Sequence, residues 1–134
     1  MIEEGTANSA LVLTGGGTYS FNGVLRSGFA GPTSLSVTKN GTGTQTFSGG
    51  LINYAGATTV NGGKLVLNNT GAFRSATTVN NGTTLELAGN TSVDYGAGFS
   101  LALNNGSTLN HTNTGFSTFN SSNVAINGTV AMGI

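Results

Sequence analysis

Six Asn-Gly pairs punctuate this chain, at Asn22, Asn40, Asn61, Asn81, Asn105 and Asn127, with successive spacings of 18, 21, 20, 24 and 22 residues. A corner that recurs about every twenty residues constrains the fold more than any local propensity. Such self-similarity marks a stack of like units, none of which can bury its apolar face alone. Asn-Gly suits the corner because both residues accept positive φ readily. Apolar residues keep time with it: Val37, Val60, Val79, Leu103 and Ile126 each come one to three residues before an Asn-Gly pair. Phe47, Leu65 and Leu67, Leu85 and Leu87, Leu109, and Val130 with Met132 follow the pairs. The fullest unit is TTVNGGKLVLNN at 58–69, answered by TTVNNGTTLEL at 77–87. Alternation turns Val60, Leu65 and Leu67 to one face and Thr59, Lys64 and Val66 to the other.

No window longer than about eight residues shows a helical apolar period. The chain is therefore expected to be all-β. A meander would use each Asn-Gly as a hairpin turn, whereas a solenoid would use it as a corner and pair every strand with its counterpart one coil away. The solenoid is favoured because equivalent positions carry like residues, so that stacking Val60 on Val79 or Leu67 on Leu87 buries both. The expected architecture is a parallel β-helix (β-solenoid) of about six coils, with about 20–24 residues per coil. The corner asparagines Asn22, Asn40, Asn61, Asn81, Asn105 and Asn127 are expected to form an amide ladder. Residues 10–134 make one domain, and 1–9, with two of the four acids, make a lead-in or cap. Within the domain, 26–34 and 113–122 read as connecting loops and 50–57 as a third edge or loop, while whether 26–34 or 89–99 forms an extra short strand stays open.

Charge narrows the function classes. Four Lys and Arg balance four Asp and Glu in 134 residues, which leaves no basic stripe for nucleic acid. Cysteine is absent, excluding disulfides and thiolate metal sites. No apolar run reaches the length of a membrane-spanning helix. The opening Met1-Ile2-Glu3-Glu4 is acidic where a signal peptide is positive, so an exported protein is expected to reach this form as an excised or mature piece. Glu86 and Asp94 are the only acids beyond the lead-in, but Glu86 lies between Leu85 and Leu87 and is expected to point outward as an ordinary surface residue. His111, the lone histidine, cannot build a standard zinc set and is expected in a solvated turn. The glycine clusters lack the context of a phosphate loop, and one Asp outside the repeats cannot supply calcium sites coil by coil. No catalytic, metal or cofactor residue is assigned. Among the aromatics, Tyr54 and Phe116 are the candidate ligand contacts if the protein stacks on sugars. Covering the core is the simpler role for them.

Residues 35–69, LSVTKNGTGTQTFSGGLINYAGATTVNGGKLVLNN, resemble the autotransporter-associated β-strand repeat, also called the passenger-associated transport repeat. The resemblance is carried by Thr38-Lys39, Gly41-Thr42-Gly43-Thr44, Ser48-Gly49, Tyr54-Ala55-Gly56, Thr58 to Gly63, and Leu65 and Leu67. Later coils keep the Asn-Gly and Leu-x-Leu parts and lose the Lys-x-Gly-x-Gly part. The resemblance implies a right-handed parallel β-helix in a secreted or surface-displayed bacterial protein; its motif concerns folding and stacking and does not itself imply a catalytic residue. The expected function is that of a non-enzymatic structural module, a rod or scaffold at the cell surface. Its expected partners are neighbouring β-helix repeats or copies of itself stacked end to end into filaments. The alternative is a carbohydrate-binding adhesin module that engages surface glycans through exposed loop aromatics.

Overall fold

The computed structural model describes residues 1–3, 6–27, 34–71, 73–94, 98–113, 119–120 and 123–133. Most of the loop at 26–34, the middle of the connector at 113–122, and Phe29, Tyr95 and Phe116 lie outside the described residues. What is described is a β-solenoid without helix, in which every strand pairing is parallel.

Two faces carry six strands each. The first stacks β2 (Ser9–Leu13), β5 (Leu35–Lys39), β8 (Thr58–Val60), β10 (Thr77–Val79), β13 (Leu101–Asn104) and β16 (Val124–Asn127). The second stacks β3 (Thr18–Phe21), β6 (Thr44–Phe47), β9 (Lys64–Asn68), β11 (Thr84–Gly89), β14 (Thr108–Asn113) and β17 (Ala131–Gly133). A shorter third side holds β1 (Ile2–Glu3), β4 (Leu25–Arg26) and β7 (Ile52–Asn53), then β12 (Val93–Asp94) and β15 (Phe119–Asn120). Phe73 bridges to Val93 between these two groups.

Register gives the coil lengths directly. Along the first face Leu11 pairs with Val37, Val37 with Thr58, Thr58 with Thr77, Thr77 with Leu101 and Leu101 with Val124. These steps of 26, 21, 19, 24 and 23 residues are five turns between six rungs, a wider spread than the expected 20–24. The longest step contains residues 26–34, and the rungs that flank it keep parallel register. Residues 1–9, expected as a lead-in or cap, carry strand at both ends. Ile2 and Glu3 form a strand on Leu25 and Arg26, and β2 already begins at Ser9.

Period-two alternation builds the core. Val60 stacks on Val79 and Leu67 on Leu87, as expected. Leu65, Leu67, Leu85, Leu87, Leu101 and Leu103 are buried between the faces. Two edge-to-face ring pairs, Phe21 on Phe47 at 6.3 Å and Tyr54 on Phe73 at 5.7 Å, continue the core along its length; this is the geometry aromatic quadrupoles prefer. Polar residues also occupy inward positions among the described residues, Thr58 and Thr77 on the first face and, least expected, one lysine. Lys39, between Leu13 and Val60 in the stack, is only 2% exposed.

Candidate functional site: stacked corners and open last coil

The chain's most regular polar feature runs along the Asn-Gly corner. Asn61 Nδ2 donates to Asn40 Oδ1 at 2.9 Å, Asn80 Nδ2 to Asn61 Oδ1 at 2.6 Å, Asn104 Nδ2 to Asn80 Oδ1 at 2.7 Å, and Asn127 Nδ2 to Asn104 Oδ1 at 3.0 Å. The expected ladder therefore exists, with two of its members replaced and one lost. Coils four and five read Asn-Asn-Gly. Because Val79 pairs with Val60 and Leu103 with Val79, the first asparagine of each doublet continues the row. Asn80 and Asn104 take the places expected for Asn81 and Asn105. Asn81 sits one residue further round the bend, and Asn105 Oδ1 instead accepts from the Thr129 amide at 3.0 Å. Asn22 follows Phe21, which pairs with Phe47, so it stands at the far end of the second face and not in the ladder.

Inside the corners, backbone carbonyls need donors; Lys39 and Thr83 supply them at this one and Thr91 at the opposite one. Lys39 Nζ donates to the Gly41 carbonyl and, at 3.2 Å, to that of Gly62. Burial lowers the Lys39 pKa from its ordinary value, since desolvation disfavours the charged form. The Thr83 hydroxyl bonds the Asn80 and Val60 carbonyls, and Thr91 does the same for Ala88 and Leu67 at the opposite corner. Alternation along Leu35-Ser36-Val37-Thr38-Lys39 was the available signal that Lys39 faces inward.

Charged groups outside the core link consecutive coils. Arg26 holds Glu3 at 3.0 Å, Lys64 holds Glu86 at 2.9 Å and Arg74 holds Asp94 at 3.4 Å. Glu86 points outward as expected, and Thr112 adds a hydrogen bond at 3.1 Å. The hydrogen bond from Lys64 is the main reason the Glu86 pKa lies below its ordinary value. A carboxylate with a depressed folded-state pKa contributes stability above its unfolded pKa of about 4.5 and loses it as pH falls through the folded value. Thermal melts at stepped pH are expected to show the wild type losing more stability below that point than Glu86→Gln. Glu86 and Asp94 are each occupied by a cation on different strands, β11 and β12, and make no paired-acid site.

The remaining candidates are placed differently from expectation. His111 lies in β14, paired with Leu87 on an inward row and half-buried, so it is not a solvated turn residue. Tyr54, a candidate sugar contact, is only 1% exposed. Its hydroxyl meets Thr58 Oγ1 at 2.7 Å, which meets Ser75 Oγ at 2.7 Å, which donates to the Gly56 carbonyl at 2.7 Å. This internal chain of hydroxyls fixes Tyr54 as a core residue. Tyr54→Phe is expected to cost about 1 kcal/mol in chemical denaturation, the usual net value of one hydrogen bond, and to leave the fold intact. Phe116, the other candidate contact, lies outside the described residues. Among the described residues no three His, Cys, Asp or Glu gather as metal ligands, and no helix is long and apolar enough to cross a membrane.

The last coil is open. Ile126 stacks on buried Leu103 and Met132 on buried Leu109, yet the two are 58% and 56% exposed. Their faces are inward rows with nothing described above them. No protein-family model, curated protein or solved structure matches the chain.

Proposed function

We propose that this chain is a non-enzymatic structural module, a rod or scaffold segment of a bacterial surface or secreted protein of the autotransporter-passenger kind. The observation that carries the reading is the last coil. It keeps the full stacking pattern of the interior coils, with inward apolar residues Val124, Ile126, Val130 and Met132 and strand edges β16 and β17 laid out for another coil. Either a further repeat or the first coil of another copy satisfies such a surface. Two other features favour a structural role. The charged residues tie adjacent coils together, and Tyr54, half of the candidate sugar-binding pair, is committed to the core.

The test is negative-stain electron microscopy and light scattering of the purified chain over a concentration series. Filaments one solenoid wide, abolished by Ile126→Glu, are expected if copies stack end to end. A mass that stays monomeric at every concentration overturns self-assembly and leaves covering by a further repeat. Antibody labelling of intact against permeabilised cells tests the surface assignment, which fails if only permeabilised cells stain.

A further inference from the structure

The Asn-Gly dipeptide that makes the corners is also the sequence most prone to spontaneous deamidation. The glycine amide nitrogen, deprotonated, attacks the asparagine Cγ; the Cγ–Nδ2 bond breaks and ammonia leaves. Water then opens the resulting succinimide at either carbonyl. The products are aspartate or isoaspartate, the latter with an extra methylene in the main chain. The reaction requires a glycine N–H free of its acceptor and an asparagine side chain free to swing over it. The six pairs of this chain meet those requirements unequally.

Four of the six are shut. Gly41 N donates to the Leu13 carbonyl and Gly62 N to that of Lys39, both at 3.0 Å, while Asn40 and Asn61 are held in the ladder at 2.9 Å. Gly82 N donates to the Gly106 carbonyl at 3.0 Å and Gly106 N to that of Thr129 at 2.8 Å. Asn105 is further held by the Thr129 amide. The other two are open. Among the described residues nothing accepts from Gly23 N or Gly128 N, and Asn22 and Asn127 are both exposed. Asn127 is held by its Nδ2 alone, as the end rung of the ladder.

We propose that Asn22-Gly23 and Asn127-Gly128, at the outermost strands β3 and β16, are modification sites where this chain deamidates spontaneously while no further coil or copy covers them, and that coil stacking suppresses the same chemistry at Asn40, Asn61, Asn81 and Asn105. A closed site reacts only from a locally opened state, so even about 1.4 kcal/mol of opening free energy slows it about tenfold. Conversion at Asn127 removes the donor to Asn104 and places a carboxylate on the edge of β16.

The intact chain is incubated in mildly alkaline buffer with and without denaturant, and each site is followed by peptide mapping with isoaspartyl-specific methylation. In denaturant the six sites are expected to react at comparable rates. In the native chain, at a concentration where light scattering gives the monomer mass, Asn22 and Asn127 should keep their denatured-state rates within a few fold, while the other four slow by about tenfold or more. Native rates that are equal at all six sites, or slowed at Asn22 and Asn127 as at the rest, overturn the proposal. A double variant Asn22→Ser/Asn127→Ser, at two exposed positions, should slow the appearance of acidic species about tenfold. Acidic drift at the parental rate in that variant overturns it independently.

Discussion

Gly43→Ala is expected to lower the melting temperature by about 10 °C or more, a loss of about 3 kcal/mol in a domain of this size. A Cβ at Gly43 would lie 1.9 Å from the Gly17 carbonyl oxygen, 2.5 Å from Gly16 C and 2.7 Å from Gly16 O. All three are backbone atoms of the coil beneath, and that backbone is fixed by Gly43 N to Gly15 O at 3.3 Å and Thr44 N to Gly17 O at 2.9 Å. No side chain is available to move aside, so the two coils must separate. Gly50 is the control. Its Cβ would meet nothing within 4 Å, and Gly50→Ala should be neutral or slightly stabilising, because alanine lowers the entropy of the unfolded chain. Equal melting temperatures for Gly43→Ala and the wild type would refute close coil stacking at this corner.

Asn61→Asp is expected to cost about 1–2 kcal/mol in urea unfolding at neutral pH. The side chain of Asn61 donates to Asn40 and accepts from Asn80. A carboxylate keeps the second bond but has no proton for the first, and sets its oxygen against Asn40 Oδ1. Asn81→Asp, one step off the row, should stay within about 0.5 kcal/mol of the wild type. A larger loss for Asn81→Asp than for Asn61→Asp would mean that the ladder passes through the asparagine of each Asn-Gly pair after all. Protonation restores a donor, so the Asn61→Asp deficit should shrink as pH falls below the carboxylate range.

The period and the two faces were legible because they are repeated. Every coil votes on them, and Val60 over Val79 or Leu67 over Leu87 follows from alternation once the period is known. Features that occur once were not legible in the same way. Asn80 and Asn104 were missed because counting Asn-Gly pairs gives spacing, while the ladder obeys hydrogen-bonded register, and a doublet of asparagines lets the two differ by one residue. Tyr54 sits beside the Gly56 bend, where alternation no longer says which side is inside. Its partners Thr58 and Ser75 come from two different coils. Lys39 was legible by alternation, but a lysine at an inward position conflicts with composition-based expectation, and only the nearby corner carbonyls resolve the conflict.

The ion pairs of Arg26, Lys64 and Arg74 have a consequence for how this chain finds its native order. Some rows repeat one residue type from coil to coil, as in Leu65, Leu85 and Leu109 or Thr59 and Thr78, and those rows scarcely distinguish the native stack from a permuted one. The exceptions do. Glu3 finds Arg26, Lys64 finds Glu86 and Arg74 finds Asp94 only when adjacent turns are the native neighbours. The glycine column Gly17, Gly43, Gly63 gives way to Thr83 and Ser107 at one point along the rod. The repeat thus supplies adhesion without identity, and the few charged residues of this nearly uncharged chain act as addresses that tell each turn which turn it follows.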